Sequence, residues 1–213
     1  MDQDQQLINA SQVGDVDTLY ALIQKDSYVL EHIDKLPFAN SPLHFAASAG
    51  CTEFAMEIMK LMPSFAWKLN QDGFSPIHLA LQNEQSQVVL GLLQLDGLLV
   101  RIKGRQGITP LHYVARSGNI NLLAAFLSVC PKSIEDVTSR NETALHIALR
   151  SNMYEAFQFL LHWVCHEEDF YLKKKFLDHK DVEGNTLLHI ATSRNQPQVC
   201  IFFSLVSPSL GRL

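Results

Sequence analysis

Apolar residues return along this chain in doublets set 34 residues apart: Ile58-Met59, Leu92-Leu93, Phe126-Leu127 and Leu160-Leu161. The recurring pair predicts the inner face of a helix. A second frame runs ahead of it. Ala46, Ala80, Val114, Ala148 and Ala191 are small enough to let neighbouring helices approach closely. Two positions before each of these stands a histidine (His44, His78, His112, His146 and His189), with spacings of 34, 34, 34 and 43 residues. Five of the nine histidines share one frame, so the chain is built from an internal repeat.

The residues around each histidine predict a helix start. Ser41-Pro42-Leu43, Ser75-Pro76-Ile77 and Thr109-Pro110-Leu111 precede the first three, and Thr143-Ala144-Leu145 and Thr186-Leu187-Leu188 the last two. The hydroxyl caps amide groups that the first turn leaves unpaired. Proline behind it has a φ already suited to the first helical position. Six residues past the histidine come Gly50, Glu84, Gly118, Asn152 and Asn195; five before it come Ala39, Gly73, Gly107, Asn141 and Gly184. Gly and Asn tolerate the left-handed backbone that ends a helix or closes a turn. The exceptions, Glu84 and Ala39, have Asn83 and Asn40 beside them. One unit is thus a turn, a short helix, a bend and a second helix.

This pattern resembles the ankyrin repeat over nearly the whole chain. The resemblance implies an all-α solenoid of helix–turn–helix units with short β-turn fingers, forming one domain over 1–213. The repeats fall at about 1–36, 37–70, 71–103, 104–138, 139–180 and 181–213. Leu7 to Asp34 fits as an atypical first copy, with Ala10 and Gly14 in frame, and its polar, acidic character suits a solenoid cap. Stretches such as Asp72-Gly73-Phe74-Ser75-Pro76-Ile77-His78-Leu79-Ala80 and Gly184-Asn185-Thr186-Leu187-Leu188-His189-Ile190-Ala191 are similar to the plant ankyrin-repeat membrane proteins (bian-da-like and accelerated-cell-death-like). That resemblance implies a role in immunity, cell death or stress signalling, and transmembrane helices after the repeats. Here the doublet is half lost at Phe203-Ser204, Ser207-Pro208-Ser209 stops the helix, and no spans follow. A truncated chain, an alternative transcript or a shortened paralogue would read this way.

Composition changes this picture little. Apolar residues make up 47% and charged residues 18% of 213 positions, ample for a core. The net charge of −5 argues against a nucleic-acid partner. It is carried entirely by the first 35 residues, where seven acids face Lys25 and Lys35, so the remainder is neutral. The start lacks a secretory signal, and no window offers the roughly 18 apolar residues of a membrane span. Cys51, Cys130, Cys165 and Cys200 are widely spaced, as reduced, packed thiols in a cytoplasmic protein would be. A longer form would sit at the cytosolic face of the plasma membrane.

Candidate chemistry is sparse. The repeat histidines lie roughly 10 Å apart by repeat stacking, too far to share a metal; hydrogen bonding within the turn and to the adjacent repeat is their expected role. The fifth repeat carries nine extra residues between His162 and Lys180. His162, Cys165, His166 and His179 there are metal-ligand types in no standard zinc spacing. An elongated solvated helix, with Glu167, Glu168 and Asp169 at one end and Lys173, Lys174 and Lys175 at the other, is the expected reading. No phosphate loop and no nucleophile–base pair occurs, so neither enzyme activity nor a cofactor is expected.

The informative residues are those the repeat leaves free to vary, which the resemblance puts on a concave face. Four before each histidine stand Asn40, Phe74, Ile108, Glu142 and Asn185. The finger tips give Phe38, Asp72, Arg105 and Arg140, and the first helices Gln82, Asn83, Arg116, Arg150 and Arg194. An apolar ridge (Phe38, Phe74, Ile108) beside a basic stripe (Arg105, Arg116, Arg140, Arg150, Arg194) points to a protein partner with an acidic segment and an apolar anchor. The alternative is that these arginines form a solvated face of little energetic weight.

Overall fold

The computed structural model describes residues 3–166 and 170–199. Among the described residues there is no strand; helices join through short turns and single 3-10 turns. The helices are α1 (Gln3–Val13), α2 (Val16–Lys25), α3 (Val29–Asp34), α4 (Pro42–Ala49), α5 (Thr52–Leu61), α6 (Pro76–Gln82), α7 (Ser86–Leu95), α8 (Pro110–Ser117), α9 (Ile120–Val129), α10 (Ala144–Arg150), α11 (Tyr154–His166), α12 (Phe170–Leu177) and α13 (Leu187–Ser193). The chain divides into two compact units, one of Met1–Pro110 with Ala125–Ser133, the other of Leu111–Ala124 with Ile134–Leu213.

In the first unit the short helices stack in a row, α1 on α4 and α4 on α6, and α5 packs on α7 behind them. The two frames of the sequence account for this. Ala46 and Ala80 are fully buried where α4 meets its neighbours. Ile58 and Leu92 are likewise buried, with Met59 and Leu93 nearly so. Each such aliphatic side chain withdrawn from water contributes about 1.5–3 kcal/mol. The first helix pair follows the same plan with Leu7, Ala10 and Leu19 inside, and Gly14 closes α1 at φ 78. In the second unit α10 packs against α11 and α13, around Leu145, Ala148, Leu160, Leu187 and Ala191.

Three positions depart from the sequence reading. The left-handed residue after α6 is Glu84 itself (φ 58), while Asn83 stays at φ −98. The reason is register: Asn83 caps α6, donating to the Leu79 carbonyl through both backbone and side chain, and Gln85 N–H reaches Ala80 O. Ahead of α4 the left-handed residue is Phe38 (φ 53), not Asn40. The fifth-repeat insertion is not solvated along its whole length: α12 ends with Phe176 and Leu177 buried, and the residues between α11 and α12 lie outside the described residues. Lys174 and Lys175 are exposed as expected, while Glu167, Glu168, Asp169 and the Phe203–Ser209 stretch lie outside the described residues.

Candidate functional site

The repeat histidines are the fold's fasteners for its loops. Ser41 N–H donates to His44 Nδ1 at 3.0 Å, and the Ser41 hydroxyl lies 2.8 Å from the same nitrogen. With Nδ1 accepting, the proton sits on Nε2, which donates to Phe74 O at 3.1 Å. His78 repeats this with Ser75 and Ile108 O, and His112 reaches Glu142 O. These three histidines each pin the backbone of the next finger, whereas His146 Nε2 is buried without a hydrogen-bond partner among the described residues. Burial drives the His44, His78 and His146 pKa values down to about 4, so these rings are neutral.

Three of the fingers are braced a second time, while Leu36 and Gly104 hold the same position in the other two. Asn70 Oδ1 accepts from Asp72 N and Phe74 N; Thr138 Oγ1 accepts from Arg140 N and Glu142 N; Asp181 Oδ1 accepts from Glu183 N and Asn185 N. All three stand eight residues before a histidine, a frame that sequence reasoning missed although its short polar residues signal a turn. Fingers also bond to each other within each unit: Arg105 N–H to Gly73 O at 2.8 Å, and Val182 N–H to Arg140 O at 2.9 Å.

On this frame the candidate residues fare differently. In the first unit Phe38 is 63% exposed, and Phe74 and Ile108 are half-buried on finger backbones that His44 and His78 hold. Arg105 is exposed, and so are Arg116 and Arg194 in the second unit, none with a carboxylate within reach among the described residues. Arg140 pairs with Glu183 at the surface. Arg150 is half-buried between Glu142 (2.7 Å) and Asp181 (2.6 Å). Those carboxylates are 8% and 1% exposed, so Arg150 is the shared cation of two buried acids of its own chain. Burial pulls the Asp181 carboxyl upward, but hydrogen bonds from Asn185, Arg150 and Glu183 outweigh it and hold its pKa below the usual range.

The insertion's ligand-type residues part company. His179 Nε2 bonds Asn141 O at 3.0 Å, and its ring meets His146 edge-on at 5.7 Å. His162 and Cys165 border an apolar groove of about 320 Å³ with Phe157, Leu161 and Val199. Among the described residues no three His, Cys, Asp or Glu side chains converge as metal ligands. Cys51, Cys130 and Cys165 are free thiols, and Cys200 lies outside the described residues. Among the described residues no helix is long and apolar enough to cross a membrane.

Comparison with known proteins agrees with this architecture. The family model for ankyrin repeats matches residues 7–103 and 96–174. The chain is 50% identical over 72 residues to ankyrin repeat-containing protein BDA1 of Arabidopsis thaliana, which covers 34% of this chain and 17% of that protein. It is 27% identical over 124 residues to rabankyrin-5 of Mus musculus, covering 57% of this chain and 10% of that one. A probable 26S proteasome regulatory subunit, p28 of Saccharomyces cerevisiae, is 25% identical over 126 residues, 58% of this chain and 55% of its own. The chain thus spans only a small part of the first two relatives. It belongs to the ankyrin-repeat family, whose fold is a non-catalytic helical scaffold for protein–protein interaction.

Proposed function

We propose that this chain acts as a protein-interaction module in plant defence or stress signalling, on the cytosolic side of the cell, without catalysis of its own. The observation that carries this is the pairing of apolar side chains at the fingers, two of them (Phe74 and Ile108) on backbone held by a histidine, with arginines that have no carboxylate partner among the described residues. Phe38, Phe74 and Ile108 supply anchors in the first unit, and Arg105 the adjoining charge. Arg116 and Arg194 supply exposed charge in the second. Rigid fingers lower the ordering entropy that a flexible loop would lose on binding. Arginine grips carboxylates through two parallel hydrogen bonds, so an acidic segment with an apolar anchor is the fitting partner. Arg140 and Arg150 contribute less, because carboxylates of the chain already hold them. The setting in plant signalling rests on the resemblance to plant ankyrin-repeat membrane proteins and on the 50% identity with the Arabidopsis protein.

The test is affinity capture from plant tissue with wild type and an Arg105→Glu/Arg116→Glu variant, after matched melting curves show both folded. A partner lost selectively from the variant supports the reading. Equal capture of the same partners by both would overturn the role given to these arginines. A second reading, the cytosolic portion of a membrane-anchored regulator such as a channel- or transporter-like subunit, is favoured by one observation: the match covers 17% of the Arabidopsis relative. Sequencing the native transcript past Leu213 decides it, since hydrophobic spans would support that reading and a stop codon would exclude it.

A further inference from the structure

Leu36, Phe38 and Trp67 are 53%, 63% and 46% exposed. Single exposed apolar side chains are ordinary; several gathered around one concavity mark a contact site. These three, with Leu69, wall a groove of about 430 Å³ in the first unit, with Lys35 and Lys68 on its border. Both walls are fixed in advance. Lys68 Nζ donates to the Ile33 and Asp34 carbonyls and lies 3.6 Å from the Asp34 carboxylate. Trp67 Nε1 donates to Asp96 at 3.2 Å, which satisfies the indole's polar edge and leaves its ring in solvent.

Phe38 is the telling residue. It holds a left-handed backbone at φ 53, disfavoured for a bulky side chain; at the same position of the third finger Gln106 is left-handed too (φ 60), while Gly73 and Gly107 turn one residue later. The fold would be served better by glycine. Strain kept at an exposed aromatic points to a contact that uses the ring. Charge then selects the occupant. Asp34 neutralises Lys68, whereas Lys35 is exposed with no carboxylate within 4 Å among the described residues.

We propose that this groove seats the leucine or aromatic side chain of a short protein segment whose neighbouring carboxylate meets Lys35. The proposal rests on the interaction-module reading and gives it a defined anchor site. A lipid surface fits worse, because the first 35 residues carry the whole net charge of −5, which repels anionic headgroups.

The probe is a displayed library of random short peptides selected on the whole chain, with enriched peptides then titrated by fluorescence anisotropy. Enriched peptides should carry one leucine or aromatic residue beside Asp or Glu. Trp67→Ala and Lys35→Glu should each weaken them about tenfold or more, as loss of a hot-spot contact does. Phe38→Gly separates function from folding: it should raise the denaturation midpoint, by relieving the left-handed strain, yet weaken the peptides. Binding that ignores all three changes but is lost on Arg105→Glu would overturn the groove and keep the interaction module. No enrichment above an unrelated protein would overturn both. Trp67-dependent binding to phosphatidylserine-containing vesicles, with no peptide enriched, would replace the peptide by lipid and so refute the proposal.

Discussion

Lowering the pH from about 7.5 to about 5 titrates three imidazoles that the fold keeps neutral. His44, His78 and His146 fall from 6.5 to about 4 because burial penalises the charged ring. The folded pKa lies below the unfolded one, so the unfolded chain takes up protons first. The stabilisation is complete above about pH 6.5 and lost progressively as pH falls towards 4. At about pH 5 each ring should forfeit roughly 2 kcal/mol, from a shift whose full value is about 3.4 kcal/mol. His44 and His78 belong to the first unit and His146 to the second, so the losses are about 4 and about 2 kcal/mol respectively. Against a typical 5–15 kcal/mol for a whole domain that is a large fraction. Urea unfolding followed by circular dichroism at the two pH values measures it. A stability changed by less than about 0.5 kcal/mol would refute the claim that these rings are buried and neutral.

Arg150→Ala should destabilise by about 3–5 kcal/mol, because Asp181 and Glu142 would keep their burial and lose their cation; urea unfolding reads this, and a change below about 1 kcal/mol would place the triad in solvent. Glu84→Gly should stabilise by about 1 kcal/mol, since glycine adopts φ 58 without strain; a lower melting temperature would contradict the assigned helix end. Zinc addition followed by chelation should leave the melting curve unchanged, as His179 is engaged by Asn141 O and His162 and Cys165 border an apolar groove. A drop in melting temperature on chelation would overturn that.

The helix frame was legible in the sequence because each of its devices is local. A hydroxyl cap, a proline behind it and a glycine at the helix end act within a few residues, and their recurrence every 34 residues removed ambiguity. The apolar doublets told which face goes inside. What stayed hidden depended on contacts distant in sequence. Glu84 read as an exception, yet the helix end takes the left-handed turn there because the position is set by the stacked repeat, whatever residue occupies it. The insertion read as a solvated helix because its charges dominate the stretch, and the burial of Phe176 and Leu177 just after Lys173, Lys174 and Lys175 has no repeat frame to announce it. The candidate surface was half legible. Frame positions located Phe38, Phe74, Ile108 and the arginines, but Arg105 and Arg150 look alike in sequence. Glu142 and Asp181, the latter 31 residues further on, make one of them structural.

Hydrogen exchange on the chain alone and bound to the partner it captures tests the interaction surface most directly. Protection is expected to concentrate on the amides of Phe38, of 71–75 and of 104–108, with the backs of α5 and α7 unchanged. Protection confined to α5, α7 or α11, with those fingers exchanging as in the free chain, would contradict the assignment and move the binding site to the other side of the repeats.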